Sequence, residues 1–223
     1  MPRATFAPAR VGLTKSAQTT GAMNQKNILP YDGLAHLVDD TEVEFEWPEI
    51  SAYLAETIPW RIETAFMFGR HMPVPRMTAW FGDADYPYSG ICHRAAPFPA
   101  VVQRLRERAE AISGVSYNAV LLNLYRDGSD SVGWHSDNEA GLGNCPTIAS
   151  LSLGATRRFQ FRHRRTKETI TLELSEAIWL VMAGETQRFW VHQVPKTTAA
   201  VARRINLTFR CMIPVHQAHE YRV

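Results

Sequence analysis

The stretch Asn123-Leu-Tyr-Arg-Asp-Gly-Ser-Asp-Ser-Val-Gly-Trp-His-Ser-Asp137 begins in alternating polar and apolar residues and ends in His135-x-Asp137. In extended backbone, residues i and i+2 point to one face. On a strand, His135 and Asp137 can therefore close on a single metal ion. Asn123 and Tyr125 share a face in the same way, with Tyr117, Ala119 and Leu121, while Leu122 and Leu124 face the other way. Asp127-Gly128 supplies the turn between the two halves.

The surroundings of this stretch decide the fold class. After Gly114 the chain reads as strands separated by turn residues: 117–125, 147–153, 158–163, 168–174, 177–182, 189–194 and 203–212. Seven or eight short strands in about 100 residues, with no helix among them, predict a sandwich or jelly roll. The part before Gly114 is mixed. Pro48 suits the first turn of a helix running to about Thr57. Pro99 to Ile112 carries an apolar stripe of Val101, Val102, Leu105, Ala109 and Ile112, stopped by Gly114. Residues 42–47, 61–68 and 76–81 read as strands, 69–75 as a Gly/Pro-rich turn, and 83–90 as a polar loop holding Tyr86 and Tyr88. The expectation is a mainly β protein with flanking helices (α+β) and a sandwich or jelly-roll (double-stranded β-helix) core.

Composition excludes several classes. The 223 residues suit a single domain. Net charge is +2, so bulk charge points to no partner and any basic patch is local. Cys92, Cys145 and Cys211 are isolated, which argues against a disulfide framework or a cysteine-rich zinc site. No stretch approaches the roughly 18 apolar residues of a membrane span. Met1 to Tyr31 lacks acidic residues and carries Arg3, Arg10, Lys15 and Lys26. That composition overlaps with transit peptides; the preferred reading of residues 1–27 is a disordered basic tail. With no secretory apolar region, an intracellular monomer with no membrane association is expected.

The chemistry needs a third ligand. His192, in Phe189-Trp-Val-His-Gln, lies on an expected strand and is the best one. Two His and one carboxylate with open positions make the facial triad of non-haem Fe(II) oxygenases, but three ligands also fit catalytic zinc. The last strand, Arg204-Ile-Asn-Leu-Thr-Phe-Arg210, discriminates. Ile205, Leu207 and Phe209 take one face; Arg204, Asn206, Thr208 and Arg210 take the other. Four polar residues on the inner face of a barrel are costly without a partner. A dicarboxylate is such a partner: the two Arg Cα atoms lie roughly 20 Å apart at ~3.3 Å per residue, and their long forked side chains can converge on its two ends. A solvent-facing edge strand is the alternative. A zinc hydrolase gives no reason for the two arginines.

Asn-x-Tyr-x-Asp-Gly, His-x-Asp, a distal His and Arg-x-Asn-x-Thr-x-Arg, in this order, closely resemble the AlkB-like Fe(II)/2-oxoglutarate dioxygenases, nearest to members that repair alkylated duplex DNA. The resemblance covers about residues 28–213 and is densest from Ser116 to Arg210. It implies that His135, Asp137 and His192 bind Fe(II) and form the catalytic centre, and that Asn123, Tyr125, Arg204, Asn206, Thr208 and Arg210 hold the 2-oxoglutarate co-substrate, with O2 as oxidant. It divides the chain into the tail 1–27, helices and a nucleotide-recognition lid over 28–114, the dioxygenase jelly roll over 115–214 and a short tail 215–223. Phe68, Gly69 and Arg70 match a turn whose aromatic wedge fills the gap left by an extruded base. Tyr86 and Tyr88 match an aromatic lid over that base, where a cationic methylated ring also gains cation–π attraction. Glu139 matches an acceptor for the exocyclic amine; Asn138 departs from the acidic residue expected there.

The implied function is oxidative demethylation of N-alkylated bases such as 1-methyladenine and 3-methylcytosine in DNA, with duplex first and single strands as a second substrate form, releasing formaldehyde, succinate and CO2. The host compartment would be the cytoplasm, at the nucleoid, or the nucleus. The same chemistry on RNA, protein or a small molecule stays open, as does a nucleic-acid-binding jelly roll without turnover. The segment 157–167, with seven basic residues including His163, is a dense basic hairpin that suits phosphate contact.

Overall fold

The computed structural model describes residues 26–43, 45–67, 70–83, 86–88 and 91–213. Of the expected tails 1–27 and 215–223, residues 1–25 and the whole of 215–223 lie outside these residues. In chain order the elements are β1 (Leu34–Asp39), α1 (Trp47–Thr57), β2 (Thr64–Met67), β3 (Arg70–Pro73), β4 (Met77–Gly82), β5 (Tyr86–Tyr88), β6 (Ile91–His93) and α2 (Ala100–Ser113). The second half holds β7 (Ala119–Tyr125), β8 (Val132–His135), a 3-10 turn at Ala140–Leu142, β9 (Ile148–Gly154), β10 (Arg157–His163), β11 (Thr169–Leu174), β12 (Ile178–Ala183), α3 (Thr186–Phe189), β13 (Trp190–Val194) and β14 (Arg204–Arg210).

Two antiparallel sheets make the core. One has the strand order β1-β12-β9-β14-β7-β4, the other β11-β10-β13-β8. Together they form the expected jelly roll. The six-stranded sheet is buried on both faces, as the uninterrupted burial of β7 and β14 shows. Its outer face presents Val120, Leu122, Leu124, Ile205, Leu207 and Phe209 to Trp47, Leu54, Val102, Leu105 and Ala109 of the two long helices. Its inner face presents Asn123, Tyr125, Arg204, Asn206, Thr208 and Arg210 to the four-stranded sheet. The side-chain period of two thus turns one sequence alternation into a hydrophobic wall and a polar wall.

Helix α2 runs between the two punctuating residues read from sequence. Pro99 precedes it, and Gly114 ends it in the left-handed region (φ 72), its N–H donating to Glu110 O at 2.8 Å. Pro48 sits in the first turn of α1. The expected strand at 42–47 is not there. The strand is instead Leu34–Asp39, which runs antiparallel to β12, Leu34 opposite Ala183 and Asp39 opposite Ile178. Leu34-Ala-His-Leu-Val-Asp has no clean alternation; its extension is imposed by an edge of the sheet supplied from far along the chain. Within the expected turn and loop, residues 70–73 and 86–88 are strands, because β3 pairs with β2 and β5 pairs with β6. Tyr117 lies before β7 begins and packs on the helix side, 6.2 Å from Phe209 between ring centroids, rather than on the face of Asn123.

One buried charge staples the helices to the sheet. Asp40, just past β1, is 1% exposed. It accepts from Arg108 Nε at 3.0 Å and from Arg108 Nη2, and from Trp179 Nε1 at 3.0 Å. Its backbone carbonyl takes Trp47 Nε1 at 3.0 Å. Asp40→Ala leaves a buried indole N–H and a guanidinium without their acceptor. We expect a loss of about 3 kcal/mol of stability, read as a lower denaturation midpoint at unchanged m-value. Among the described residues no helix is long and apolar enough to cross a membrane.

Candidate metal and dicarboxylate site

The four-stranded sheet supplies the histidines. His135 ends β8 and His192 sits at the centre of β13, and the two are direct cross-strand partners. Their ring centroids are 4.3 Å apart. Asp137 is placed differently from the sequence expectation. Strand β8 stops at His135, and Asp137 lies in the segment beyond it. What holds it is Gln187 of α3, 2% exposed, whose Oε1 accepts the Asp137 backbone N–H at 2.9 Å. One ligand atom from each of His135, Asp137 and His192 falls within 4.8 Å of the others.

The protonation states suit a metal. His135 Nδ1 lies 2.8 Å from Gly133 O. A carbonyl only accepts, so Nδ1 carries the proton and the Nε2 lone pair is left for a ligand bond. Burial holds the His192 imidazole far down, at about 3, with the neighbouring His135 and Arg210 pushing the same way and Asp137 opposing them. His192 is therefore neutral, and its buried Nδ1 has no hydrogen-bond partner in the protein. Phe159 stacks against it at 5.4 Å and 19°. Burial alone would raise the Asp137 carboxyl, but the Arg210 guanidinium, with the two neighbouring imidazoles pushing the same way, outweighs it and holds it at about 2. Arg210 Nη2 donates to Asp137 Oδ1 at 2.9 Å, an ion pair with both side chains at most 4% exposed. A neutral His192, an ionised Asp137 and the Nε2 of His135 form the donor set of a divalent cation.

The same cavity continues along the inner face of the large sheet, past Asn123, Asn206 and Thr208 to Tyr125 and Arg204. Arg204 is 2% exposed. Its Nη2 donates to Ser152 Oγ at 2.7 Å, while Nε and Nη1 are buried with no hydrogen-bond partner. Burial pushes this guanidinium below its ordinary pKa; the charge of Arg157 adds to that, and Tyr125 opposes it. The Tyr125 ring lies 5.3 Å from the Arg204 guanidinium and 5.6 Å from that of Arg157. A buried cation with two orphaned donors fits an anion. Asn206 is engaged differently. Its Nδ2 donates to Ser150 Oγ at 2.8 Å and to Leu151 O at 2.9 Å, and its Oδ1 accepts from Thr208 Oγ1 at 3.1 Å. It ties β14 to β9 while lining the cavity.

The structure thus brings together all nine residues singled out for metal and co-substrate. It adds Arg76, Gln187 and Arg157, which sequence reasoning passed over. Gln187 carries no motif signal, since the turn of helix that holds it is four residues long. Arg157 was counted with the basic hairpin but is 2% exposed. Its guanidinium donates to three backbone carbonyls, Asp127 at 2.9 Å, Asp130 at 2.8 Å and Pro195 at 2.9 Å. It closes the turn whose Gly128 approaches Thr197 so closely that a Cβ would sit 2.5 Å from its carbonyl oxygen.

Of the residues expected to meet substrate, Phe68 and Gly69 lie outside the described residues. Arg70 is exposed and opens β3, paired with Met67. Tyr86 and Tyr88 lie on β5, opposite His93 and Ile91; their side chains are outside the description. Asn138 is exposed and Glu139 half-buried where the chain leaves Asp137. Beside this exit, Arg162 stacks over Trp134 at 4.1 Å and Arg164 Nη2 donates to Ser136 Oγ at 2.6 Å. Two arginines therefore flank His135.

Comparison with known proteins agrees with this geometry. The family profile of the 2OG-Fe(II) oxygenase superfamily matches residues 44–210. The alpha-ketoglutarate-dependent dioxygenase alkB homolog 3 of Rattus norvegicus is 39% identical over 181 residues, covering 77% of this chain and 61% of that protein. The DNA oxidative demethylase ALKBH2 of Mus musculus is 39% identical over 158 residues, 66% of each protein. The chain spans about three-fifths to two-thirds of the length of these relatives. The solved structure of OsALKBH1 shares the fold, with a TM-score of 0.56 at 17% identity over 79% of this chain and 97% of that one. The chain belongs to the 2OG-Fe(II) oxygenase superfamily, in its AlkB-like branch, a family that works with Fe(II), 2-oxoglutarate and O2.

Proposed function

We propose that the protein repairs N-alkylated bases in DNA, 1-methyladenine and 3-methylcytosine among them, by oxidative demethylation. The observation that carries the reading is one cavity with the His135–Asp137–His192 cluster at one end and the half-satisfied Arg204 at the other, joined by the Arg210–Asp137 ion pair. When bound, Fe(II) and 2-oxoglutarate supply the oxidation: O2 and 2-oxoglutarate give succinate, CO2 and one oxygen atom for the N-methyl group, which leaves as formaldehyde.

The chain's own residues do the rest. His135, Asp137 and His192 hold the iron. Arg204, with Tyr125 over its guanidinium, takes the carboxylate far from the metal; Arg210, already beside Asp137, takes the one near it. Asn123 donates to the co-substrate. Thr208, through Asn206, and Asn206, through Ser150 and Leu151, keep the cavity floor in register. Leu121, Val132, Phe159, Met182 and Val194 wall the site with apolar surface, which keeps bulk water from the reacting carbon.

On the substrate side, Phe68, Gly69 and Arg70, which follow β2 in sequence, would fill the gap left by the extruded base. Tyr86 and Tyr88 would stack on it, and Asn138 and Glu139 would read its edge. Arg162 and Arg164, which contact Trp134 and Ser136 on either side of His135 in sequence, would supply phosphate contacts. The relative named as a DNA oxidative demethylase, ALKBH2 of Mus musculus, supports DNA as substrate. A protein acting on DNA as a monomer would work at the nucleoid or in the nucleus, according to host.

The test is formaldehyde release from oligonucleotides carrying a single 1-methyladenine, single- and double-stranded, with and without Fe(II) and 2-oxoglutarate. The reading predicts release that requires both additions and leaves unmodified base. Succinate formed with another substrate but no formaldehyde from either DNA would overturn it.

A further inference from the structure

The cavity holds one arginine that β14 does not supply. Arg76, the residue before β4, is 9% exposed and lines the same space as Arg204 and Arg210. Its Nε donates to Asn123 Oδ1 at 2.7 Å in a buried hydrogen bond. A guanidinium has donors only, so the Asn123 carboxamide can meet it with nothing but its oxygen. The orientation of that amide, ambiguous for most asparagines, is thereby fixed. The NH2 group is the end left to act on the cavity.

The neighbouring residues show why this matters. Asn123 stands opposite Asn206 on β14 and Thr78 on β4. The Asn206 carboxamide is engaged at both its oxygen and its nitrogen by Ser150, Leu151 and Thr208. Asn123 is therefore the carboxamide on this wall that can present N–H groups to a ligand. A carboxylate accepts only, so an amide turned the other way would set oxygen against oxygen. The segment that carries Arg76 is itself pinned on both sides. Val74 N–H donates to Glu63 O at 2.8 Å, Arg76 N–H to Val74 O at 2.8 Å, and Ser131 N–H to Pro75 O at 2.8 Å.

We propose that Arg76 is a positioning residue for the co-substrate, locking the Asn123 carboxamide so that its NH2 donates to a carboxylate of 2-oxoglutarate. The proposal rests on the co-substrate reading above and adds a residue from the N-terminal part of the chain to it. Arg76 acts through Asn123, which gives the proposal a signature in the coupling between the two.

The experiment is equilibrium binding of 2-oxoglutarate by calorimetry to the full chain loaded with Mn(II), which occupies such a site without turnover. Wild type, Arg76→Gln, Arg76→Lys, Asn123→Ala and the double variant Arg76→Gln/Asn123→Ala are compared, each with its thermal midpoint. Arg76→Gln and Asn123→Ala should each weaken binding about tenfold, with Arg76→Lys recovering part of the loss because an ammonium also only donates. The double variant should bind no more weakly than Asn123→Ala, since the partner through which Arg76 works is already gone. Losses that multiply, to about a hundredfold in the double variant, would show that Arg76 acts independently of Asn123 and overturn the proposal. So would wild-type affinity in Arg76→Gln, or in Asn123→Ala. A wild-type chain that binds no 2-oxoglutarate at all would overturn the co-substrate reading itself, a different failure from these.

Discussion

His135→Ala is expected to remove formaldehyde release, a loss on the order of a thousandfold or more, while leaving the fold intact. The size follows from what is lost. The triad is the set of donors in the cavity that can hold a divalent cation, and two protein ligands do not form a facial triad; a thousandfold corresponds to about 4 kcal/mol of transition-state stabilisation. The fold should survive because His135 is half-buried at the end of β8, its backbone stays in the ladder with β13, and among the described residues its side chain hydrogen-bonds only to Gly133 O, a local contact. Circular dichroism and the thermal midpoint check the fold; formaldehyde release checks the chemistry. An His135→Ala variant that keeps its turnover would place the metal elsewhere.

The second large effect separates function from stability at one residue. Arg204→Met should weaken 2-oxoglutarate about a hundredfold, or about 2.7 kcal/mol, because charge-assisted bonds to a carboxylate are among the strongest available. The same change should leave the ligand-free protein as stable as wild type, or more so. Arg204 is a buried cation whose partners among the described residues are the neutral Ser152 hydroxyl and the Tyr125 side chain, with Nε and Nη1 unbonded, and burial disfavours its charged form. Replacing such a group with an apolar one of similar shape relieves a desolvation cost. If Arg204 were instead a structural residue, Arg204→Met would lower the thermal midpoint. The two outcomes have opposite sign, so one melt and one titration decide between them.

How much of this was legible in the chain depends on the length scale of the signal. The Arg204–Arg210 alternation translated directly into structure, because a strand buried on both faces has no freedom to rotate its pattern. Helix α2 was legible from Pro99 and Gly114 for the same local reason. Strand β1 was not. Its residues carry no alternation, and its partner β12 arrives over 140 residues later. Asp137 was read as a strand residue from its spacing to His135, yet its backbone is held by Gln187, a residue 50 positions away. Arg76 and Arg157 illustrate the same limit. A lone arginine in sequence looks like surface charge; only the packed structure shows that one meets a carboxamide and the other three backbone carbonyls. The wedge turn at Phe68-Gly69 was read by resemblance, and the description of the hairpin stops on either side of it.

The most direct test of the account is a pair of anaerobic titrations on the full chain, Fe(II) first and 2-oxoglutarate second, followed by calorimetry. The geometry predicts one Fe(II) per chain in wild type and none at that affinity in His135→Ala. It predicts one 2-oxoglutarate per chain, bound tightly in wild type and about a hundredfold more weakly in Arg204→Met, with iron binding in that variant unchanged. Tight Fe(II) binding that survives the loss of His135, or 2-oxoglutarate binding indifferent to Arg204, would contradict the assignment of this cavity to the metal and its co-substrate.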